Sequence, residues 1–173
     1  VAGLQAIATA KRLGAVVTAT DVRPATREQV ESLGGKFLIV DPEMEKNSQT
    51  EGGYAKEMPP EYFRKQNGVV AEHIKNQDLV ITTALIPGHP APRLISKEMV
   101  LSMAPGSVIV DLAVESGGNC ECSILGEIAN VEGVKIVGYG NMAGRLPENA
   151  SALFAKNLYN FLSPHLDGET KNF

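Results

Sequence analysis

Residues 1–21, VAGLQAIATAKRLGAVVTATD, decide how the chain folds. Alanines and apolar residues run through Leu4–Leu13 as they do in a closely packed helix, and Gly14 stands where a left-handed C-cap residue is favoured. AVVTAT then reads as a strand, and the acid Asp21 ends it. A helix turning directly into such a strand is the second half of a β-α-β unit.

The alternation continues outward from this stretch. A helix over Thr26–Leu33, closed by Gly34, precedes the strand KFLIV at 36–40. A helical segment over Glu61–Lys75 precedes DLVITTAL at 78–85, and one over Lys97–Met103, with Ser96 as its cap, precedes SVIVDLA at 107–113. The strand VKIVGY at 134–139 leads to a closing helix over 150–163, with Ser151 ahead of ALFAKNLYNFL. Leu153, Phe154, Leu158, Phe161 and Leu162 recur there at helical spacing, which predicts a stripe facing a core. Val- and Ile-rich strands alternating with helices predict an α/β Rossmann-type, doubly wound, mostly parallel sheet in one domain over 1–173. Because the first residues read as the interior of a helix, the expected fold is truncated at its N-terminus and the chain is expected to begin partway through a larger polypeptide.

Composition narrows the function. With 173 residues, 43% of them hydrophobic, the chain can bury one sizeable core. A formal charge of −4 with interleaved signs gives no basic stripe, so nucleic acid is not an expected partner. Apolar runs such as LVITTALIP are of strand length, so no direct insertion into a membrane is expected. Cys120 and Cys122 are too close for a useful disulfide, and His73, His89 and His165 lack ligand spacing, so no metal is expected.

The opening stretch also carries chemistry. In a dinucleotide fold the third glycine of GxGxxG lets the first helix pack on the sheet, and the diphosphate rests at the helix start. Gly3 suits that place. Asp21 follows at about the 20-residue spacing at which a carboxylate accepts the adenosine ribose hydroxyls, favouring NAD over NADP. Spacing alone leaves a solvated strand-end carboxylate equally open. Position adds weight, since Asp21, Thr83 to Leu85, Ala113 and Asn141 would all lie along the carboxyl edge of the sheet, where such folds bind ligands. The polar interval 41–60, DPEMEKNSQTEGGYAKEMPP, reads as a mobile loop able to close over a ligand through Gly52, Gly53, Tyr54 and Met58, or as a plain surface excursion.

ATDVR, GGYAKEM, the run from TTALIPG through PGSVIVDLAVE and GGN, and LFAKNL with NFL and PH together resemble the NAD(H)-binding domain of proton-translocating NAD(P) transhydrogenase, alpha subunit, along the whole chain. The wider family includes alanine dehydrogenases, which share LIPG and PGSVIVD but not the GGYAKEM loop. The resemblance implies cofactor contacts at Val1 in the remains of the phosphate loop, at Asp21, Val22 and Arg23 by the adenosine ribose, at Gly53 and Tyr54 in the loop, and at Gln66 and Leu85. The family's first strand, its first two glycines and an upstream loop beside the nicotinamide fall outside these residues. Two stretches, 139–151 and 120–123, depart from the family pattern.

The same resemblance implies NAD(H) held here, NADP(H) on a partner domain, hydride passing between them, and proton translocation by a separate membrane domain. It implies a homodimer, peripheral on the cytoplasmic face of the bacterial inner membrane or in the mitochondrial matrix. Hydride passage puts no proton on either substrate, so no catalytic acid or base is expected. An alanine dehydrogenase-type amino-acid oxidoreductase and a non-catalytic NAD-binding module are the alternatives.

Overall fold

A computed structural model describes residues 1–45 and 59–166. It resolves into two compact units, one spanning Val1–Tyr139 and a second from Gly140 onward, and each is described by itself.

The first unit carries helices α1 (Ala2–Arg12), α2 (Pro24–Ser32), α3 (Pro42–Glu45), α4 (Pro60–Ile74) and α5 (Lys97–Leu101). Its strands are β1 (Thr18–Ala19), β2 (Lys36–Phe37), β3 (Leu79–Thr82), β4 (Val108–Asp111), β5 (Ile128–Val131) and β6 (Val134–Val137). Strands β1 and β2 pair in parallel, Thr18 opposite Lys36. The other four form a sheet in the order β3-β4-β6-β5, with β3, β4 and β6 parallel and β5 antiparallel to β6. This is the expected α/β, mostly parallel arrangement.

Local chemistry sets most of the boundaries. Gly14 and Gly34 adopt φ of 86° and 79° and end α1 and α2 as left-handed residues. The Ser96 side chain accepts from the Met99 amide at 3.3 Å and starts α5. The β5–β6 hairpin was not expected from the sequence. Its two-residue turn, Glu132-Gly133, has positive φ at both positions, the geometry that matches the twist of a hairpin, and the Asn130 side chain accepts from the Gly133 amide.

Two contacts orient the two sheets. Gly3, in the first turn of α1, lies beside Thr83 just past the end of β3, and α1 then leads back to the start of β1. Thr18, the first residue of β1, shares a 2.6 Å hydrogen bond with His73, near the end of the helix that leads into β3. Strands β1 and β3 therefore run in the same sense, and their carboxyl ends share one edge.

The larger core gathers Ile74, Ile95, Met99, Val100, Met103, Ile109, Cys120, Val134 and Ile136 beneath the β3-β4-β6 sheet. A smaller cluster of Ile7, Val30 and Phe37 holds α1 and α2 on β1-β2. Each fully buried aliphatic side chain contributes about 1.5–3 kcal/mol, so stability concentrates in the larger cluster. Burial pushes the Cys120 thiol above its ordinary value.

The second unit contains α6 (Met142–Arg145) and α7 (Pro147–Leu162). Here two expectations are corrected. Ser151 lies inside α7 rather than capping it, because Pro147 already supplies a first-turn residue with its φ fixed for a helix. Leu153, Phe154, Leu158, Phe161 and Leu162 are exposed rather than core, since α7 has no buried residue among the described ones. No helix among the described residues is long and apolar enough to cross a membrane.

Candidate functional site

The shared carboxyl edge of β1, β3 and β4 brings together Asp21, Thr83 to Leu85 and Ala113. Asn141, expected on the same edge, belongs to the second unit, where it caps α6 through its side chain at φ 47°.

At the β1 end, Asp21 is engaged by one residue. Arg23 donates from its backbone amide and from Nε to Asp21 Oδ1, both at 2.9 Å, and from Nη2 to Oδ2 at 2.7 Å. The backbone bond arises because Asp side chains readily reach the amide two residues on, and Arg23 then serves as the extended N-cap of α2. The side-chain bonds form a bidentate fork. The hydrogen bond to Asp21, more than its charge, holds the Arg23 guanidinium above its ordinary value. Both side chains remain reachable, Asp21 at 23% and Arg23 at 39% exposure.

At the β4 end a second acid is treated differently. Asp111 is 1% exposed and accepts five hydrogen bonds, all from neutral donors. Oδ1 takes the Ala113 amide and the Thr82 hydroxyl; Oδ2 takes the amides of Asn119 and Cys120 and the Ser123 hydroxyl. Gly118, at φ 83°, lets the loop pass so close that a Cβ there would sit 2.8 Å from Oδ2. The loop delivers Asn119, fully buried, whose side chain accepts from the Ala84 amide at 3.0 Å and donates to the carbonyls of Ala84 and Pro92 at 2.9 and 2.8 Å. Asn119 thereby ties the end of β3 to the segment 85–92.

These ties shape a crevice of about 640 Å³ with Leu85–Pro90 on one side and Ser116 and Gly117 on the other. Its size suits a piece of a small ligand. Helix α1 starts nearby with no side-chain cap and no acid in its first turn, so its leading amides are open to an anion. No cluster of metal ligands occurs among the described residues.

Comparison with known proteins identifies the family. The family profile described as "Alanine dehydrogenase/PNT, C-terminal domain" matches residues 1–173. The chain belongs to that family. Within the alanine dehydrogenase/PNT family it is 64% identical over 171 residues to an NAD(P) transhydrogenase subunit alpha protein of Rhodospirillum rubrum, covering 99% of this chain and 44% of that protein. The crystal structure of transhydrogenase from Sinorhizobium meliloti superposes with a TM-score of 0.75 at 54% identity, over 95% of this chain and 42% of that one. An L-alanine dehydrogenase structure superposes less well, with a TM-score of 0.65 at 27% identity over 91% of this chain and 38% of the other. The chain thus spans less than half the length of these relatives.

The residues that the family resemblance points to fall in different settings. Val1 and Gly3 open α1; a Cβ on Gly3 would meet Thr83 Oγ1 at 3.4 Å, an ordinary contact. Val22 lies between the paired Asp21 and Arg23. Leu85 is exposed on the crevice wall, whereas Gln66 is buried within α4. Gly53 and Tyr54, with residues 46–58 of the expected loop, lie outside the described residues. At the near margin of that loop Asp41 accepts from Lys65 of α4 at 2.6 Å, and this bond, followed by one from the Met44 amide, holds the Asp41 carboxyl below its ordinary value. Sequence reasoning missed Asp111 and Asn119. The signal was present as an acid ending an apolar strand, followed by a glycine pair and an amide, in VIVDLAVESGGN.

Proposed function

We propose that this chain forms the NAD(H)-holding part of a proton-translocating transhydrogenase. The observation that carries the reading is its 64% identity to a transhydrogenase alpha-subunit protein across 99% of its own length. The site's chemistry fits. The uncapped start of α1 suits a diphosphate, the reachable carboxylate of Asp21, with Val22 next to it in the chain, suits an adenosine ribose, and Leu85 and the crevice supply apolar walls. When bound, the nicotinamide would give hydride to, or take it from, an NADP(H) held on a partner domain.

The protein's own share is placement. Asn119 and Asp111 fix the crevice walls, and no side chain has to take or give a proton during hydride passage. Gly53 and Tyr54 would close over the nucleotide, and Gln66 would support it from α4. The membrane domain that moves protons and a second copy of this subunit complete the assembly, with this part peripheral on the cytoplasmic face in bacteria or in the matrix of mitochondria.

The test uses the full-length subunit mixed with its NADP(H)-binding partner. Reduction of an NAD analogue by NADPH is the expected result. Alanine-dependent NADH formation would replace this reading with an amino-acid dehydrogenase, and NADH binding without either activity would leave a sensing module.

A further inference from the structure

We infer that Arg23 is a specificity-determining residue, a latent 2′-phosphate-binding group held shut by Asp21. The inference rests on the NAD(H) reading of this site and concerns what excludes the phosphorylated nucleotide.

A carboxylate has about four acceptor positions, two on each oxygen. On Asp21, Oδ1 already serves the Arg23 amide and Nε, while Oδ2 serves Nη2 and keeps one position. A ribose presenting two hydroxyls therefore meets one open acceptor, or two or more once the guanidinium swings aside. In both cases the guanidinium stays tethered beside the carboxylate that would meet the sugar's hydroxyls. Its backbone is fixed there by the amide bond to Oδ1 and by its place at the start of α2.

The charges give the pair its meaning. An unpaired aspartate would repel a 2′-phosphate outright; an aspartate and arginine in a fork sum to no net charge, so repulsion is blunted. Exclusion then depends on the carboxylate occupying the guanidinium. Without it, Nε and Nη2 present the planar double donor that suits a phosphate oxygen pair. The next arginine along α2, Arg27, is turned to Glu31 at 3.1 Å. One side chain thus decides whether its neighbour reads a hydroxyl or a phosphate.

The experiment measures dissociation constants of NADH, NADPH and the fragment 2′,5′-ADP with the full-length subunit. The proteins are wild type, D21A, D21N, R23A and D21A/R23A, each measured at low and moderate salt. In D21A, NADH binding should weaken about tenfold while NADPH and 2′,5′-ADP binding tighten about tenfold, each step being worth one charge-assisted hydrogen bond. The gain should fall with added salt and vanish in D21A/R23A. D21N keeps an oxygen for the Arg23 amide, and so the local turn, and should show the same shift in preference. Tight NADH binding by wild type with an unchanged NADPH preference in both Asp21 variants overturns the inference alone. A gain that survives loss of Arg23 also overturns it. A wild-type subunit that binds no NADH overturns the site reading, and this inference with it.

Discussion

Two aspartates stand at the carboxyl ends of parallel strands in this molecule and live by different rules. Asp111 is sealed from water and holds three backbone amides and two hydroxyls, so its geometry is spread over the residues 82–123. Asp21 is partly exposed and answers to one arginine two residues away. Removing the first strands several buried donors, whereas removing the second frees one solvated cation. On the proposed reading, the contrast separates a group that builds the site from one that would meet what enters it.

The sharpest way to break this contrast is Asp111→Ala. Leaving that many donors without a partner should cost about 3–5 kcal/mol, read as a fall in the urea midpoint. A loss below about 1 kcal/mol would mean the loop finds other partners and Asp111 is no anchor. Asn119→Ala comes next at about 2–3 kcal/mol, since it strips the Ala84 amide of its acceptor and two carbonyls of their donor. Its nucleotide affinity should fall as well, because the 85–92 wall is released.

Asp21→Ala should alter thermal stability by about 0–1 kcal/mol, the ordinary range for a partly exposed ion pair, while NADH affinity drops about tenfold. A stability loss as large as that of Asp111→Ala would erase the distinction between the two acids. The smallest effect concerns Asp41. Its carboxyl is lowered by Lys65 first and by the Met44 amide second. The tie therefore contributes at all pH above the ordinary Asp range and is lost only as pH falls through the lowered value. A carboxyl NMR titration of Asp41 should show a midpoint below that of a free aspartate, and Lys65→Met should bring it back up.

Much of this was legible in the sequence because the helices announce themselves through caps and the strands through unbroken Val and Ile runs. Gly14, Gly34 and Ser96 act where their chemistry requires. Strand β5 was hidden by its turn, since Glu132 is an uncommon residue at positive φ and IANV lacks the apolar run of a doubly covered strand. The apolar stripe of α7 was visible, but periodicity identifies a face without saying that anything within the described chain covers it. Asp21 and Arg23 were both singled out from the sequence, but their pairing was not. A side-chain fork depends on rotamers and on the turn between them, and letters two apart do not encode it. Asp111 and Asn119 read as ordinary polar punctuation until the fold brings residues 84, 92 and 111 onto one loop.

The amide bonds that Asp111 accepts from Asn119 and Cys120 also set a clock. Deuterium should reach those two positions only when the β4 end of the unit opens, on the timescale of its slowest protons, while the Arg23 amide should label through a local breath of its own turn. The fraction of label carried by each would then report, in a single time course, which half of the edge a bound molecule quiets.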